Sequence, residues 1–348
     1  ELRDNATLVT GPASMANEHL AVRVNGNGTV DLTCRQTGRT YAGINYLRDQ
    51  GEVGNAWKHV PPAFDRIATS LGCAARLEIV ESGPLSSSIA ARFDFEVPAD
   101  AADGTSRSEA TVSLPVEIVY TLNAGERSLG VRIALDNRAK DHWLRVCCPT
   151  GLETGHSAAD SHFDVVERPI ELPDSTGWVE RAYGTHPLRT FVDVSDGADG
   201  LALLPQGLFE YEVFDDPHRT LALTLLRGCR IKLAVSEEKQ TELPDEGVQC
   251  PGRRMFAYSI CAHAGDWRAA GLLNEAARRY APARALESGR GQGALPDQMS
   301  MIEVEGEALH VTAVKPADDG AGLIVRLFNP LDTLQTVIVR SDAGIQSA

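Results

Sequence analysis

The sequence predicts an all-β fold, a large antiparallel β-sandwich with one helix near residues 266–281 and a small C-terminal β-sandwich subdomain. Three observations predict it. Segments of alternating apolar and polar residues recur along most of the chain, clusters of Gly, Asn, Asp and Pro separate them, and helical spacing is sustained at one place only. No repeat of fixed period is visible, which disfavours a propeller or a solenoid.

Residues 18–41 read as hairpins. His19 to Val24 alternates, Asn25-Gly26-Asn27-Gly28 supplies the positive-φ residues of a tight turn, and Thr29 to Thr33 returns. Residues 45–62 show no clear period and end at Pro61-Pro62, so an irregular loop is expected there. Ala75 to Glu81, Ala91 to Val97 and Leu129 to Leu135 alternate as half-buried strands, and Pro98 to Ala110, mostly Ala, Asp, Gly and Ser, reads as a flexible hairpin tip. From His142 to Trp178, histidines, prolines and loop formers dominate, and a mainly irregular stretch is expected.

Strand character returns at Thr190 to Val194, Gly200 to Leu204, Leu208 to Phe214, Leu221 to Leu226 and Arg254 to Ala262. Gly265 then breaks the run and Asp266 is placed to cap a helix. Trp267, Ala270, Leu273, Ala277 and Tyr280 follow at helical spacing up to Pro282. Glu287 to Gly293 is the best linker candidate, which divides the chain into a large sandwich (1–286), a linker (287–294) and a small β subdomain (295–348). The last strands are expected at Met301 to Val304, Leu309 to Val314, Leu323 to Phe328 and Thr336 to Arg340.

The 348 residues are enough to bury a sizeable core in one or two domains. Acidic residues outnumber basic ones 48 to 33, a net charge of −15, so nucleic acid and anionic membranes are repelled and are not expected partners. No apolar run approaches the ~18 residues of a membrane span, and no leader pattern opens the sequence. A soluble, cytoplasmic protein is the expectation. Glu1 in place of an initiating methionine reads as an internal boundary. Seven scattered cysteines do not form a secreted disulfide framework and read as small buried hydrophobes. Two Asn-x-Thr sequons, at Asn5 and Asn27, read as chance occurrences.

Few constellations could carry chemistry. His156, Asp160 and His162 supply metal-ligand types but not the spacing of a helical pair or a finger, so no metal site is assigned. Adjacent Cys147 and Cys148 point to opposite faces of a strand. Ser259 near His263 lacks a nucleophile elbow. No Gly-x-Gly-x-x-Gly opens a helix after a strand. A glycosidase needs two carboxylates flanking its sugar. Asp49 with Glu52, Asp215 with Asp216 and Asp318 with Asp319 are the candidates, the last two reading as turns. No catalytic residue is assigned.

The run Gln249, Gly252, Phe256, Tyr258, His263, Gly265, Asp266, Trp267 resembles the "Q..G...F.Y.L.PH.GDW" signature of the C-terminal region of family 38 glycoside hydrolases, the α-mannosidases, with Ala262 where that pattern has proline. Residues 18–41, 188–213, 221–227 and 308–330 resemble further blocks of the same region in the same order. The resemblance implies a galactose-mutarotase-like sandwich. It also implies a zinc-dependent retaining α-mannosidase whose zinc ligands and nucleophile lie in a missing N-terminal catalytic domain of the same polypeptide. No cofactor is then expected in this chain, which alone is not hydrolytic.

Residues 49–62 resemble in position the family's "GD.Y....P" loop, which completes the sugar cleft. Asp49, Asn55, Trp57 and His59 are the candidate mannoside-binding residues, Trp57 by stacking and the others through hydroxyl groups. Two other readings stay open. One is a stand-alone carbohydrate-binding module, and the other a mutarotase-like epimerase using His162 or His263 with a carboxylate.

Overall fold

The computed structural model describes residues 7–56, 58–101, 104–229, 246–289, 291, 293, 296–306 and 309–341. Among them the strands form five sheets, and every pairing between them is antiparallel. The largest sheet has nine strands, in the order Val165–Pro169, His156–Asp160, Val192–Ser195, Asp199–Gln206, Gly252–Ala264, Leu129–Asn137, Thr111–Asn123, Ser86–Pro98 and Arg76–Ser82. Facing it is a six-stranded sheet, ordered Thr185–Pro187, Glu210–Val213, Leu221–Arg227, His142–Cys148, Tyr46–Gly51 and Ala68–Thr69. A five-stranded meander from Val9–Gly11 to Thr40–Ile44 adjoins both through the core.

Period-two patterning explains the layers. Phe93, Phe95, Ile118, Tyr120, Ile133, Tyr258 and Ile260 from the large sheet meet Leu47, Leu144, Val146 and Leu223 from the smaller one, with Leu20, Leu32 and Ile44 from the meander. Each such side chain contributes roughly 1.5–3 kcal/mol by leaving water. One polar knot crosses this core. Asn45, in left-handed backbone at φ 71, donates to the Tyr120 hydroxyl at 2.8 Å and accepts from the Tyr258 hydroxyl, while Tyr120 donates to Gly28 O at 2.7 Å. Every member is paired, so the knot fixes register where an unpaired group would cost stability.

The expected turns form. Gly28 takes φ 85 in the first hairpin, and its bare Cα lies against Phe93, where a Cβ would come within 2.8 Å of the ring. In that turn Asn27 accepts from Thr29 and donates to Leu71 O, so its sequon side chain is already engaged. Asp266 caps the helix, accepting from the amides of Arg268 and Ala269. The helix itself is two pieces, Trp267–Ala270 and Leu272–Tyr280, because Gly271 turns left-handed between them at φ 65. Trp267, Leu272 and Ala276 pack with Phe191, Leu204 and Cys261 as a second core on the outer side of the large sheet.

Three expectations are corrected. Tyr46 to Gly51, read as loop, is a strand inside the six-stranded sheet. His142–Cys148, read as irregular, is a strand buried at every residue. Pro98 to Ala110, read as a flexible tip, is tied down in its described part: Ala101 and Arg107 are buried, and Lys140 N donates to Ala99 O at 2.9 Å. Ionic residues masked the first two, and partners far along the chain satisfy them.

At the C-terminus His310–Pro316 pairs with Leu323–Phe328 around the Asp318-Asp319-Gly320 turn, and Glu303–Glu305 pairs with Ile338–Arg340. Phe328 meets Phe163 edge-on, with ring centroids 6.0 Å apart, which seats this unit on the main body. Pro282 to Gly289 carries neither helix nor strand.

Candidate functional site

The strand Tyr46–Gly51 sorts its side chains by parity. Leu47 and Asp49 turn inward, while Arg48 and Gln50 turn to the outer face of the six-stranded sheet, where Trp143, Arg145, Glu210, Glu212, Thr224 and Arg227 join them. Arg145 is held by Gln50 and Glu212, and its guanidinium stacks 3.9 Å from the Trp143 ring centre. Trp143 donates its indole N–H to Thr224 Oγ1 at 3.0 Å.

Glu52, immediately after the strand, organises the loop that follows. Its Oε1 accepts from Gly54 N at 2.6 Å and Val60 N at 3.2 Å, and its Oε2 meets His59 Nδ1 at 2.7 Å and Arg227 Nη1 at 3.1 Å. Arg227 also donates to the carbonyls of Asn55 and Ala56, at 3.0 and 2.7 Å. Gly54 is required at its position, since a Cβ there would stand 2.0 Å from Lys58 O. Across the loop Val53 N bonds Val60 O, and Lys58 N bonds Asn55 Oδ1. The result is a turn anchored on one buried carboxylate and one guanidinium.

His59 sits between this anchor and the sheet. Its Nδ1–H points at Glu52 and its Nε2 accepts from the Gln50 amide at 2.9 Å, which fixes the tautomer. Its ring lies against Trp143, with centroids 4.4 Å apart. Lys58 extends over the Tyr183 ring at 5.8 Å, so Tyr183 borders the same face.

Asn55 and His59 thus lie together on the loop. Asp49 does not join them. It is fully buried on the inner side, 2.6 Å from Arg107 Nη2 and 2.5 Å from His142 Nδ1. Trp57 lies outside the described residues. Tyr211 is buried and bonds Ser157 Oγ at 3.1 Å. Sequence reasoning missed Gln50, Trp143 and Arg145. The alternation of Trp143, Arg145 and Cys147 against Leu144, Val146 and Cys148 was the available signal.

Elsewhere, His263 Nε2 meets Asp193 Oδ1 at 2.9 Å, a histidine and carboxylate that do converge, but on the outer side of the large sheet beside the helix. A cavity of about 190 Å³ adjoins His263, lined also by Cys34, Cys261 and Glu275. His156 is exposed, and Asp160 is buried against Thr190. Among the described residues no three His, Cys, Asp or Glu side chains gather as a metal ion would require.

Comparison with known proteins bears on the family and the fold. A family model described as the glycosyl hydrolases family 38 C-terminal domain matches residues 15–232, and one described as the family 38 C-terminal beta sandwich domain matches residues 308–348. A protein of Halalkalibacterium halodurans named "Putative mannosylglycerate hydrolase" is 28% identical over 96% of this chain, which spans 38% of that protein. An α-mannosidase structure from Enterococcus faecalis V583 superposes with a TM-score of 0.89 at 24% identity, over 97% of this chain and 39% of its own. A second Enterococcus faecalis structure, titled a protein in glycosyl hydrolase family 38, gives 0.88 at 23%, over 98% and 41%. At these identities the structural likeness is one of fold. The chain spans about two fifths of the length of these relatives. With the larger model matching well over half of its residues in this antiparallel β architecture, the chain belongs to glycosyl hydrolase family 38, as its C-terminal β region.

Proposed function

We propose that this chain is the supporting β region of a zinc-dependent retaining α-mannosidase, that it packs on an N-terminal catalytic domain of the same polypeptide, and that loop 53–60 completes the edge of the sugar cleft. The observation that carries the reading is the Glu52–His59–Arg227 cluster, which fixes His59 and the backbone of Asn55 and Ala56 at the outer face of a sheet. Preorganisation of that kind lowers the ordering cost of ligand binding. Asn55 and His59, with Trp57 beside them in sequence, are the proposed sugar contacts, while Asp49, paired with Arg107 and His142 inside the sandwich, is not one of them. Zinc belongs, in this proposal, to the catalytic domain. All seven cysteines are free thiols, which suits a reducing compartment such as the cytoplasm. No helix among the described residues is long and apolar enough to cross a membrane.

The substrate class proposed is an α-mannoside, and the relative named for mannosylglycerate extends it to one with an acidic aglycone. An aryl α-mannoside assay of the purified chain with added zinc tests the non-hydrolytic assignment, and turnover would refute it. Joined to its catalytic domain, a His59→Ala chain is expected to raise KM for mannoside. Tight binding of mannosides by the chain alone would favour a carbohydrate-binding module instead.

A further inference from the structure

Arg48 and Arg145 are direct cross-strand partners in the six-stranded sheet, on the same outer face. Like charges placed opposite each other destabilise a sheet pair unless something compensates them. Glu212 pairs with Arg145, but among the described residues Arg48 has no carboxylate partner. The group bridging the two guanidiniums is the neutral Gln50 Oε1, which accepts from Arg48 Nη1 and, at 2.6 Å, from Arg145 Nη2. Phe214 lies beneath both, 5.2 Å from the Arg48 guanidinium carbon and 4.8 Å from that of Arg145.

Nearby acids are committed elsewhere. Asp215 pairs with Arg219, and Asp216 accepts from His218 N, Thr220 N and the Thr220 hydroxyl. Arg145 is 3% exposed, and its Nε–H has no partner among the described residues. Burial lowers its guanidinium from the ordinary value, Glu212 offsets part of this, and Arg48 adds to the lowering. With Arg145 neutralised by Glu212, Arg48 is left as the cation of this pair without a carboxylate partner among the described residues.

We propose that Arg48, backed by Arg145 and Phe214, binds a carboxylate, and that its ligand is the acid group of a hydroxy-acid aglycone on a mannoside. The inference rests on the reading of this face as the sugar edge and deepens it. A guanidinium with an aromatic floor offers a carboxylate two parallel N–H donors at a partly dry surface. The half-buried Arg48 guanidinium meets the ligand, and Arg145, neutralised by Glu212, holds Gln50 and Phe214 in place behind it.

The test is thermal unfolding of the 348-residue chain with D-glycerate, glycerol, sulfate or methyl α-mannoside at equal ionic strength. Glycerate well above its Kd is expected to raise Tm by about 2–4 °C, with glycerol inert and sulfate weaker. Arg48→Gln removes the donor and Gln50→Glu fills the site with an internal carboxylate, so each is expected to abolish the glycerate shift. An equal shift with glycerol or sulfate overturns the proposal, as does no shift with glycerate or a shift that survives Arg48→Gln. A methyl α-mannoside response that is lost in His59→Ala but comes without a glycerate response overturns the carboxylate site and leaves the sugar edge standing. A glycerate response without a methyl α-mannoside response supports the site and agrees with a supporting region that binds sugar weakly by itself.

Discussion

Glu52 and Arg227, separated by 175 residues in sequence, meet at 3.1 Å and together hold Gly54, Asn55, Ala56 and Val60 by their backbones. Glu52 is fully buried and takes Gly54 N, Val60 N, His59 and Arg227, so removing it strands all four donors, whereas removing Arg227 leaves it three. Glu52→Ala is expected to cost about 3 kcal/mol, read from urea unfolding. Arg227→Met is expected to cost less but to speed amide exchange in residues 53–60. Unchanged exchange there would show that the loop holds itself.

The inner face has its own ionic centre. Asp49 is fully buried, as is His142, and Arg107 closes on it. Asp49→Ala strands a guanidinium in the interior and is expected to destabilise by about 3–5 kcal/mol. Equilibrium denaturation measures it, and a loss under about 1 kcal/mol would contradict the pairing.

Histidine titration adds to the acid sensitivity of the fold. Burial, with Arg168 close by, lowers the His186 imidazole from its ordinary value, while Glu212 works the other way. The folded chain therefore resists protonating it. That contribution to stability is complete above the unfolded value of about 6.5 and fades as pH falls through and below it. The Tm of the unaltered chain is expected to drop more between pH 7 and 5 than that of His186→Gln. Parallel pH profiles would count against a part for His186.

Thiol chemistry should sort by burial. Cys147 is pushed up to about 11 and Cys148 to about 12, in both cases chiefly by burial. The thiolate is the reactive species. Native alkylation at pH 8 is expected at the partly exposed Cys73 and Cys250 first, with Cys147 and Cys148 unmodified until the chain unfolds. Mass spectrometry of digests decides it.

Gly271 breaks the helix in left-handed backbone with open space around its Cα. Gly271→Ala is thus a test of backbone strain alone, with an expected loss of about 1–2 kcal/mol in denaturant unfolding. A neutral result would mean that the two helical pieces can join.

What the sequence disclosed was local. Asn25 to Gly28, Asp318 to Gly320, the Asp266 cap and the strand Leu323–Phe328 are each specified by a few neighbouring residues, and they appear where expected. The helix interruption at Gly271 was not seen, because the apolar spacing continues through it. Tyr46–Gly51 and His142–Cys148 escaped recognition because Arg48, Asp49, His142 and Arg145 are unlike buried strand residues. Their partners lie 93 residues away for Asp49 with His142, and 95 for Arg145 with Gln50. Asp49 and Glu52 resembled a carboxylate pair in one dimension, but strand parity and the exit of the loop send them to opposite sides.

Gly252–Ala264 lies between Leu129–Asn137 and Asp199–Gln206, so it alone joins the two halves of the nine-stranded sheet. During synthesis, the block from Arg76 to Asn137 and the block from His156 to Gln206 each expose a raw edge until that segment leaves the ribosome. Closure must then await residue 264, and a nascent chain halted short of it would present two sticky margins for chaperones to shield.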